Sequence, residues 1–260
     1  MKILPINNVM NTNINRYESN KRYLSVVTEP TPCDSVCFKA TQQASVRRII
    51  IMLGAPNSGK GTCAKKIAQK YAIPQISLGD ILRNETRLGT ALGHEAQKYM
   101  SSGGLVPDDL ILKVFNKRIS QEDCKNGFIL DGFPRTINQA EKLDELLKTM
   151  QNTELRIINL DIDRKILYSR SASRYTCPDC GNIYSLKEYN PETSKCECGA
   201  KLTKRADDTP EVLTKRLENY DKQTAPLINY YGDKVSAVSI YGVDSPPDET
   251  FARVIQKIEK

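Results

Sequence analysis

RIIIMLGAPNSGKGTCAKKIAQKY, residues 48–71, divides into three parts with different periods. Ile49, Ile50, Ile51, Met52 and Leu53 form a short, almost unbroken apolar run rich in β-branched side chains, which predicts a parallel strand covered on both faces. Gly54 then opens a loop carrying Gly59, Lys60, Gly61 and Thr62, after which Ala64, Ile67, Ala68 and Tyr71 recur at helical spacing. A G-x-x-x-x-G-K loop that joins a strand to a helix is a phosphate cradle. Its glycines let backbone N–H groups turn inward, the helix N-terminus adds unpaired N–H groups, and Lys60 brings a full charge to the β/γ-phosphates of a triphosphate. Gly61 stands where the commonest motif has Ser or Thr, so the hydroxyl that could meet magnesium comes one residue later, from Thr62. A glycine-rich turn with an incidental lysine is the plain alternative; the flanking strand and helix argue against it.

At 260 residues the chain is long enough for one α/β domain with insertions and a well-buried core. Its formal charge of +7 is modest and carries no block of like charges, so it demands no nucleic-acid partner; anionic substrates explain it equally well. No apolar run approaches the roughly 18 to 20 residues that span a bilayer, and no secretory signal opens the chain, which together predict a soluble intracellular protein. Residues 1–46 are rich in Asn, Ser and Thr with little periodicity, and read as a flexible extension. The expected location is cytoplasmic. Because the extension is weakly basic, the alternative is a mitochondrial or plastid transit peptide, although Glu18, Glu29 and Asp34 count against it.

Downstream of the cradle, Gln75–Ser77 predicts a second strand, Gly79–Arg83 the start of a helix, residues 89–102 a further helix, and Pro107–Asp109 the opening of the next. A third strand over Phe128–Asp131 stops at Gly132, Phe133, Pro134 and Arg135. An acid at a strand end can organise magnesium near phosphates, as in P-loop nucleotide enzymes, but such aspartates are also common without that role. A helix follows from Ile137, a fourth strand covers Leu155–Leu160, and a helix over Arg164–Arg174 carries Arg170 and Arg174 on one face. One helix from Pro210 to about Tyr230, a strand over Val235–Tyr241 and a last helix after Pro246 and Pro247 complete the alternation. Five strands interleaved with helices predict an α/β doubly wound, mostly parallel five-stranded sheet.

The insertion CPDCGNIYSLKEYNPETSKCECGAKLTKR interrupts this rhythm. Of eight cysteines in the chain, Cys177 and Cys180 (C-x-x-C) and Cys196 and Cys198 (C-x-C) cluster here, fifteen residues apart. Two short cysteine pairs at that separation predict two knuckles closing on one tetrahedral Zn²⁺; four protein ligands leave no open position, so the metal would be structural. Iron held by four thiolates, free thiols and a disulfide pair are the alternatives. The C-x-C pair is tighter than usual, which makes Cys196 the least certain ligand.

From Arg48 to the C-terminus, roughly four-fifths of the chain, the sequence resembles adenylate kinases of the long-lid type. The motifs that carry the resemblance are GAPNSGKGT (Gly54–Thr62), GDILR (Gly79–Arg83), GFILDGFPRT (Gly127–Thr136) with Gln139, the Arg170/Arg174 pair, RADD (Arg205–Asp208), KRLENY and TAPLINYY. What the resemblance implies is a P-loop nucleoside-monophosphate kinase: a core over residues 47–260 with a helical NMP-binding insertion at 77–112 and a small β-rich zinc lid at 175–208. It implies reversible transfer of the γ-phosphoryl group of ATP to AMP, with Mg²⁺ accompanying ATP, structural Zn²⁺ in the lid, and ATP, AMP and ADP as the only partners of a monomer.

Carried over residue by residue, Gly54, Ala55, Pro56, Asn57, Ser58, Gly59, Lys60, Gly61 and Thr62 hold ATP together with Arg170 and Arg174. Leu78, Arg83, Leu105, Val106, Gly132, Phe133, Pro134, Arg135 and Gln139 bind AMP, with Gln139 reading the adenine edge. Lys60, Arg135, Arg174, Arg205, Arg216 and Asp131 are the catalytic set, with Arg205 and Arg216 also on the AMP side and Asp131 organising Mg²⁺. Asn57 replaces a usual glycine, Leu78 a usual Thr or Ser, Gly104 a usual Lys, and Tyr175 a common second arginine. Asn tolerates the left-handed conformation better than most residues, so the loop is expected to be intact. Two other readings stay open: a GTP-using or other nucleoside-monophosphate kinase, and a zinc-ribbon nucleic-acid-binding protein resting on Tyr184, Tyr189 and the lysines Lys187, Lys195, Lys201 and Lys204.

Overall fold

In β1 (Arg47–Gly54), Ile49, Ile50, Ile51 and Met52 are all 0% exposed, which requires cover on both faces. Period-two alternation divides the run between two cores. Ile49, Ile51 and Leu53 pack with Leu78, Phe115, Phe128 and Leu130 on one side, and Ile50 and Met52 with Cys63, Ala64, Ile67, Val254 and Ile258 on the other. This computed structural model describes residues 46–185, 190, 194–205, 207–240, 242 and 245–260. Apart from Val46 the N-terminal extension lies outside the described residues, as do Tyr189, Lys187 and the expected strand end at Tyr241.

The main sheet joins β1 to β2 (Gln75–Ser77), β3 (Gly127–Asp131), β4 (Thr153–Ile162) and β7 (Val235–Ile240) in the order β2-β3-β1-β4-β7, and every pairing in it is parallel. Helix α1 (Lys60–Tyr71) links β1 to β2, and three helices, α2 (Leu78–Arg87), α3 (Ala91–Met100) and α4 (Asp108–Ile119), stand between β2 and β3. α5 (Ile137–Thr149) leads to β4. After β4 come α6 (Arg164–Ser173), then a two-stranded antiparallel sheet of β5 (Arg174–Thr176) and β6 (Ile183–Ser185), then α7 (Pro210–Asn219) and α8 (Pro226–Tyr231) before β7, with α9 (Pro247–Ile258) last. β1 is central, with β3 and β4 on opposite sides, so the chain's direction of winding changes beside it. Crevices at such a switch point, outside the carboxyl ends of the strands, are where ligands bind in this class of sheet.

Two expected helices differ from the reading of the sequence. The helix after β4 ends at Ser173, and Arg174 takes an extended backbone (φ −80°, ψ 130°) because it pairs with Ser185 in the small sheet. Arg170 and Arg174 therefore do not share a helical face. The single helix expected over Pro210–Tyr230 is interrupted by a π-turn at Tyr220–Thr224, where Ala225 N–H donates to the Tyr220 carbonyl at 2.8 Å. Pro226 has no N–H to continue an α-helical ladder, and the wider turn absorbs that break.

Candidate active site

The cradle at the end of β1 is fixed by close approach. Gly54 has φ 137°, and a Cβ there would lie 2.7 Å from the Leu160 carbonyl of the neighbouring strand, so only glycine fits. Asn57 sits at φ 64°, the left-handed conformation that Asn tolerates better than most residues. Lys60 Nζ folds back over the loop, donating to the carbonyls of Gly54 (2.7 Å) and Ala55 (2.8 Å). Arg170 braces the same loop through Nη1 to the Ser58 carbonyl at 3.2 Å and Nη2 to the Gly242 carbonyl at 3.3 Å. Burial pushes the Lys60 ammonium down to about 8, against the upward pull of Asp131 and with added repulsion from Arg135, Arg216 and Arg174.

Asp131, at the carboxyl end of β3, accepts a hydrogen bond from Gln75 Nε2 at 2.9 Å. Burial raises its carboxyl above the usual range while Lys60 pulls it down. A Cβ at position 61 would lie 3.1 Å from Asp131 Oδ2, which accounts for glycine where the common motif has a hydroxyl-bearing residue.

The arginines arrive from separate segments and meet a set of carboxylates. Arg83 on α2 pairs with Asp80 at 2.5 Å and faces Asp207 at 3.7 Å; Arg205 reaches Asp80 at 3.3 Å. Arg216 on α7 pairs with Asp207 at 3.1 Å, and Arg174 forms a two-point ion pair with Asp208, whose side chain is 2% exposed. Arg135 donates from Nε to the Gly132 carbonyl at 2.7 Å, while its own carbonyl accepts from Thr224 in the π-turn at 2.9 Å. Burial lowers Arg205 and Arg216 to about 10, with neighbouring arginines adding to the effect. A charge cluster this crowded is best relieved by an anion.

One cavity of about 710 Å³ brings these groups together. Gly54, Pro56, Asn57, Ser58, Gly59, Lys60, Gly61, Thr62, Arg170 and Arg174 line it. Leu78, Arg83, Leu105, Val106, Gly132, Phe133, Pro134, Arg135 and Gln139 line it too, as do Asp131, Arg205 and Arg216. Ala55 is the exception: its methyl packs away from the cavity with Leu167, Leu213 and Leu217. Gln75, Asp80 and Asp207 also line the cavity and Asp208 pairs with its wall, and the sequence assigns none of them a site role. The signals were present in GDILR and RADD, whose acids are indistinguishable from solvated ones until the arginines are placed.

The four cysteine sulfurs form a separate centre, all within 4.8 Å of one another, with Cys177–Cys198 and Cys180–Cys196 at 3.4 Å. Ligand bonds of about 2.3 Å imply tetrahedral edges of about 3.8 Å, so the donor set fits one metal ion, Cys196 included. Turns closed by Gly181 N–H to the Cys177 carbonyl and Gly199 N–H to the Cys196 carbonyl form the two knuckles. The first knuckle touches the rest of the chain through Lys65 on α1, which donates to Asn182 Oδ1 at 2.8 Å, and Arg87 on α2, which donates to the Pro178 carbonyl at 3.2 Å.

A central phosphate loop on a parallel sheet, opening into a cavity where arginines converge from several segments, defines a P-loop phosphotransferase that seats two phosphorylated ligands at once. The adenylate kinase family model matches residues 52–236, and the chain belongs to that family. It is 47% identical over 195 residues to the adenylate kinase of Clostridium tetani, covering 74% of this chain and 90% of that protein. With the adenylate kinase of Thermodesulfovibrio yellowstonii it shares 47% identity over 214 residues, 81% of this chain and 99% of the relative. With that of Clostridioides difficile the identity is 44% over 209 residues, covering 79% and 96%.

Proposed function

We propose that this protein transfers the γ-phosphoryl group of ATP to AMP, reversibly, giving two ADP and so balancing the adenine nucleotides. The observation that carries the reading is the convergence of Lys60 and six arginines on one cavity that Gln139 also lines. The adenylate kinases to which the chain is similar support the same activity.

The reaction needs alignment and charge neutralisation more than a base. A transferring phosphoryl group spreads charge over its equatorial oxygens, and planar guanidinium forks and loop N–H groups meet that charge in place. Lys60 and the amides of the loop hold the donor phosphates with Arg170 and Arg174. Arg83 and Arg135 hold the acceptor phosphate, with Arg205 and Arg216 bridging the two. Mg²⁺ accompanying ATP would supply further positive charge to the donor phosphates. Asp131 and Gln75 stand where they can hold waters of that ion. Residues 77–112 act as the acceptor-binding unit and 175–208 as a lid that excludes water, stapled by Zn²⁺ on Cys177, Cys180, Cys196 and Cys198. The lid cluster of Cys177, Tyr184, Cys196 and Leu202 is too small to fold unaided, which favours a structural metal there. The enzyme works as a monomer of the cytoplasm on ATP, AMP and ADP.

The test is a coupled assay of purified protein with Mg²⁺, ATP or GTP as donor, and AMP, CMP, UMP or GMP as acceptor. Rapid ADP formation from ATP and AMP is the expected result. Arg135→Ala should lower turnover by about 10²- to 10³-fold, the loss typical of removing one preorganised donor. Turnover close to wild type in that variant would overturn the assignment.

A further inference from the structure

We propose that Asp108 is a positioning residue that decides which purine the acceptor site takes, by locking the amide of Gln139 in one orientation. The inference rests on the reading that Gln139 faces the acceptor base. Gln139 lies in the first turn of α5, is 2% exposed, and lines the cavity. Its Oε1 accepts from Arg135 N–H at 2.8 Å, and its Nε2 donates to Asp108 Oδ1 at 2.6 Å. Asp108, the first residue of α4, uses Oδ2 to accept from Thr136 Oγ1 at 3.0 Å and Asn138 Nδ2 at 2.8 Å. One carboxylate thus grips three side chains at the start of the neighbouring helix. It is not among the residues that line the cavity.

A carboxylate only accepts and a backbone N–H only donates. Turning the Gln139 amide over would set its oxygen against Asp108 and its NH₂ against the Arg135 N–H, losing two buried hydrogen bonds and creating two contacts of like polarity. The orientation is therefore fixed by its partners. A carboxamide has two N–H donors and two acceptor lone pairs, and the protein uses one of each. The remaining N–H and lone pair are left in a set order. Adenine offers a 6-amino donor beside the N1 acceptor, which a carboxamide in one orientation can pair bidentately. Hypoxanthine and guanine offer the reverse, a 6-oxo acceptor beside an N1–H donor, and would require the amide to flip. Asp108 makes that flip costly without touching the substrate.

The plain alternative is that Asp108 merely ties α4 to α5, and stability alone would then respond to its loss. Asp108→Asn separates the two, because an asparagine amide can accept from Gln139 or donate to it, which removes the lock at that end and leaves only the Arg135 N–H to oppose the flip. At saturating ATP, the AMP-over-IMP ratio of kcat/KM should fall by about tenfold or more in Asp108→Asn, since a site that hydrogen-bonds one edge rejects the mismatched edge strongly. The change should lie in the acceptor KM, with the KM for ATP unmoved. An unchanged ratio, or equal losses for AMP and IMP, would overturn the proposal. A second measurement needs no variant: the wild-type protein should bind AMP better than the 5′-phosphate of purine riboside, which lacks the 6-amino group, and bind that better than IMP, whose N1–H opposes the fixed donor. Equal binding of the last two would also overturn it. Wild-type protein that fails to phosphorylate AMP with any donor would overturn both this inference and the functional reading; active protein with an unchanged preference would strike Asp108 alone.

Discussion

Lys60 holds its charge in the free protein over a narrower pH range than an ordinary lysine. With burial holding its ammonium near 8 instead of 10.5, the group is charged below that pH and increasingly neutral above it. A bound triphosphate restores the charge by supplying anions at the loop. ATP binding above pH 8 should therefore take up a proton, and affinity should weaken as pH rises from 8 toward 10. Calorimetry in buffers of different ionisation enthalpy measures the uptake directly; affinity that is flat across this range, with no proton taken up, would contradict it. The same shift acts on stability with a defined sign. Between pH 8 and 10.5 the unfolded chain binds more protons at this lysine than the folded one, so its contribution to stability rises with pH there. Gly61 gives a second residue-scale prediction. Installing the side chain of the common motif, Gly61→Ser, puts a Cβ 3.1 Å from Asp131 Oδ2 and close to Gln75 Nε2 at 3.9 Å. Displacing a carboxylate held by a single side-chain donor should lower turnover by about tenfold or more, since misplacement by a fraction of an ångström is costly in such sites. Unchanged kcat at saturating Mg²⁺ and ATP would show that Asp131 can move freely.

At the scale of elements, the π-turn at Tyr220–Thr224 has an evident job. It presents Thr224 Oγ1 to the Arg135 carbonyl at 2.9 Å, and Asn219, one residue ahead of it, donates to the Gly103 carbonyl at 3.0 Å. Thr224→Val keeps the shape and removes the donor. The expected cost is about 1 kcal/mol of stability in urea unfolding, the net worth of one hydrogen bond, together with a raised KM for the acceptor and an unchanged KM for ATP. Equal effects on both substrates would mean that the turn supports the fold and not the acceptor site. The sequence made the strands legible because buried parallel strands are apolar runs, and it made the loop legible because its residues are contiguous. The π-turn was not legible, since Pro226 is as compatible with a helix start as with a break. Arg174 misled for a related reason: its spacing from Arg170 is helical, but its conformation is set by pairing with Ser185, eleven residues on. The same limit hid the partners of the site. Asp108 and Gln139 are 31 residues apart, and Arg205 and Asp80 are 125 apart, and no local pattern marks either pair.

For the whole molecule, burial is unevenly shared, and that predicts how it comes apart. Among the described residues, two apolar clusters flank the main sheet and contain most of the buried side chains, whereas the segment from Arg174 to Arg205 has a core of Cys177, Tyr184, Cys196 and Leu202. It meets the sheet domain through a part-buried hydrogen bond from Lys65, exposed contacts from Arg87 and the Arg205–Asp80 pair, polar links of about 1 kcal/mol each. A metal on four thiolates contributes about 10 to 16 kcal/mol in small zinc domains, far more than those contacts. Stripping the metal with a strong chelator should thus melt this segment while leaving the sheet folded. Hydrogen exchange should show protection lost over residues 174–205 and retained in β1, β3 and β4, with thermal melting split into two transitions. Arg174 and Arg205 stand at the two ends of the segment, so phosphoryl transfer should fall sharply in the stripped protein while ATP still protects the loop at Gly54–Thr62 from exchange. Cys177→Ser should reproduce the stripped state without chelator. Cooperative loss of the whole protein in one transition would mean that the small segment supports the sheet domain. Full retention of protection over residues 174–205 after stripping would mean that the four thiols hold their arrangement without a metal.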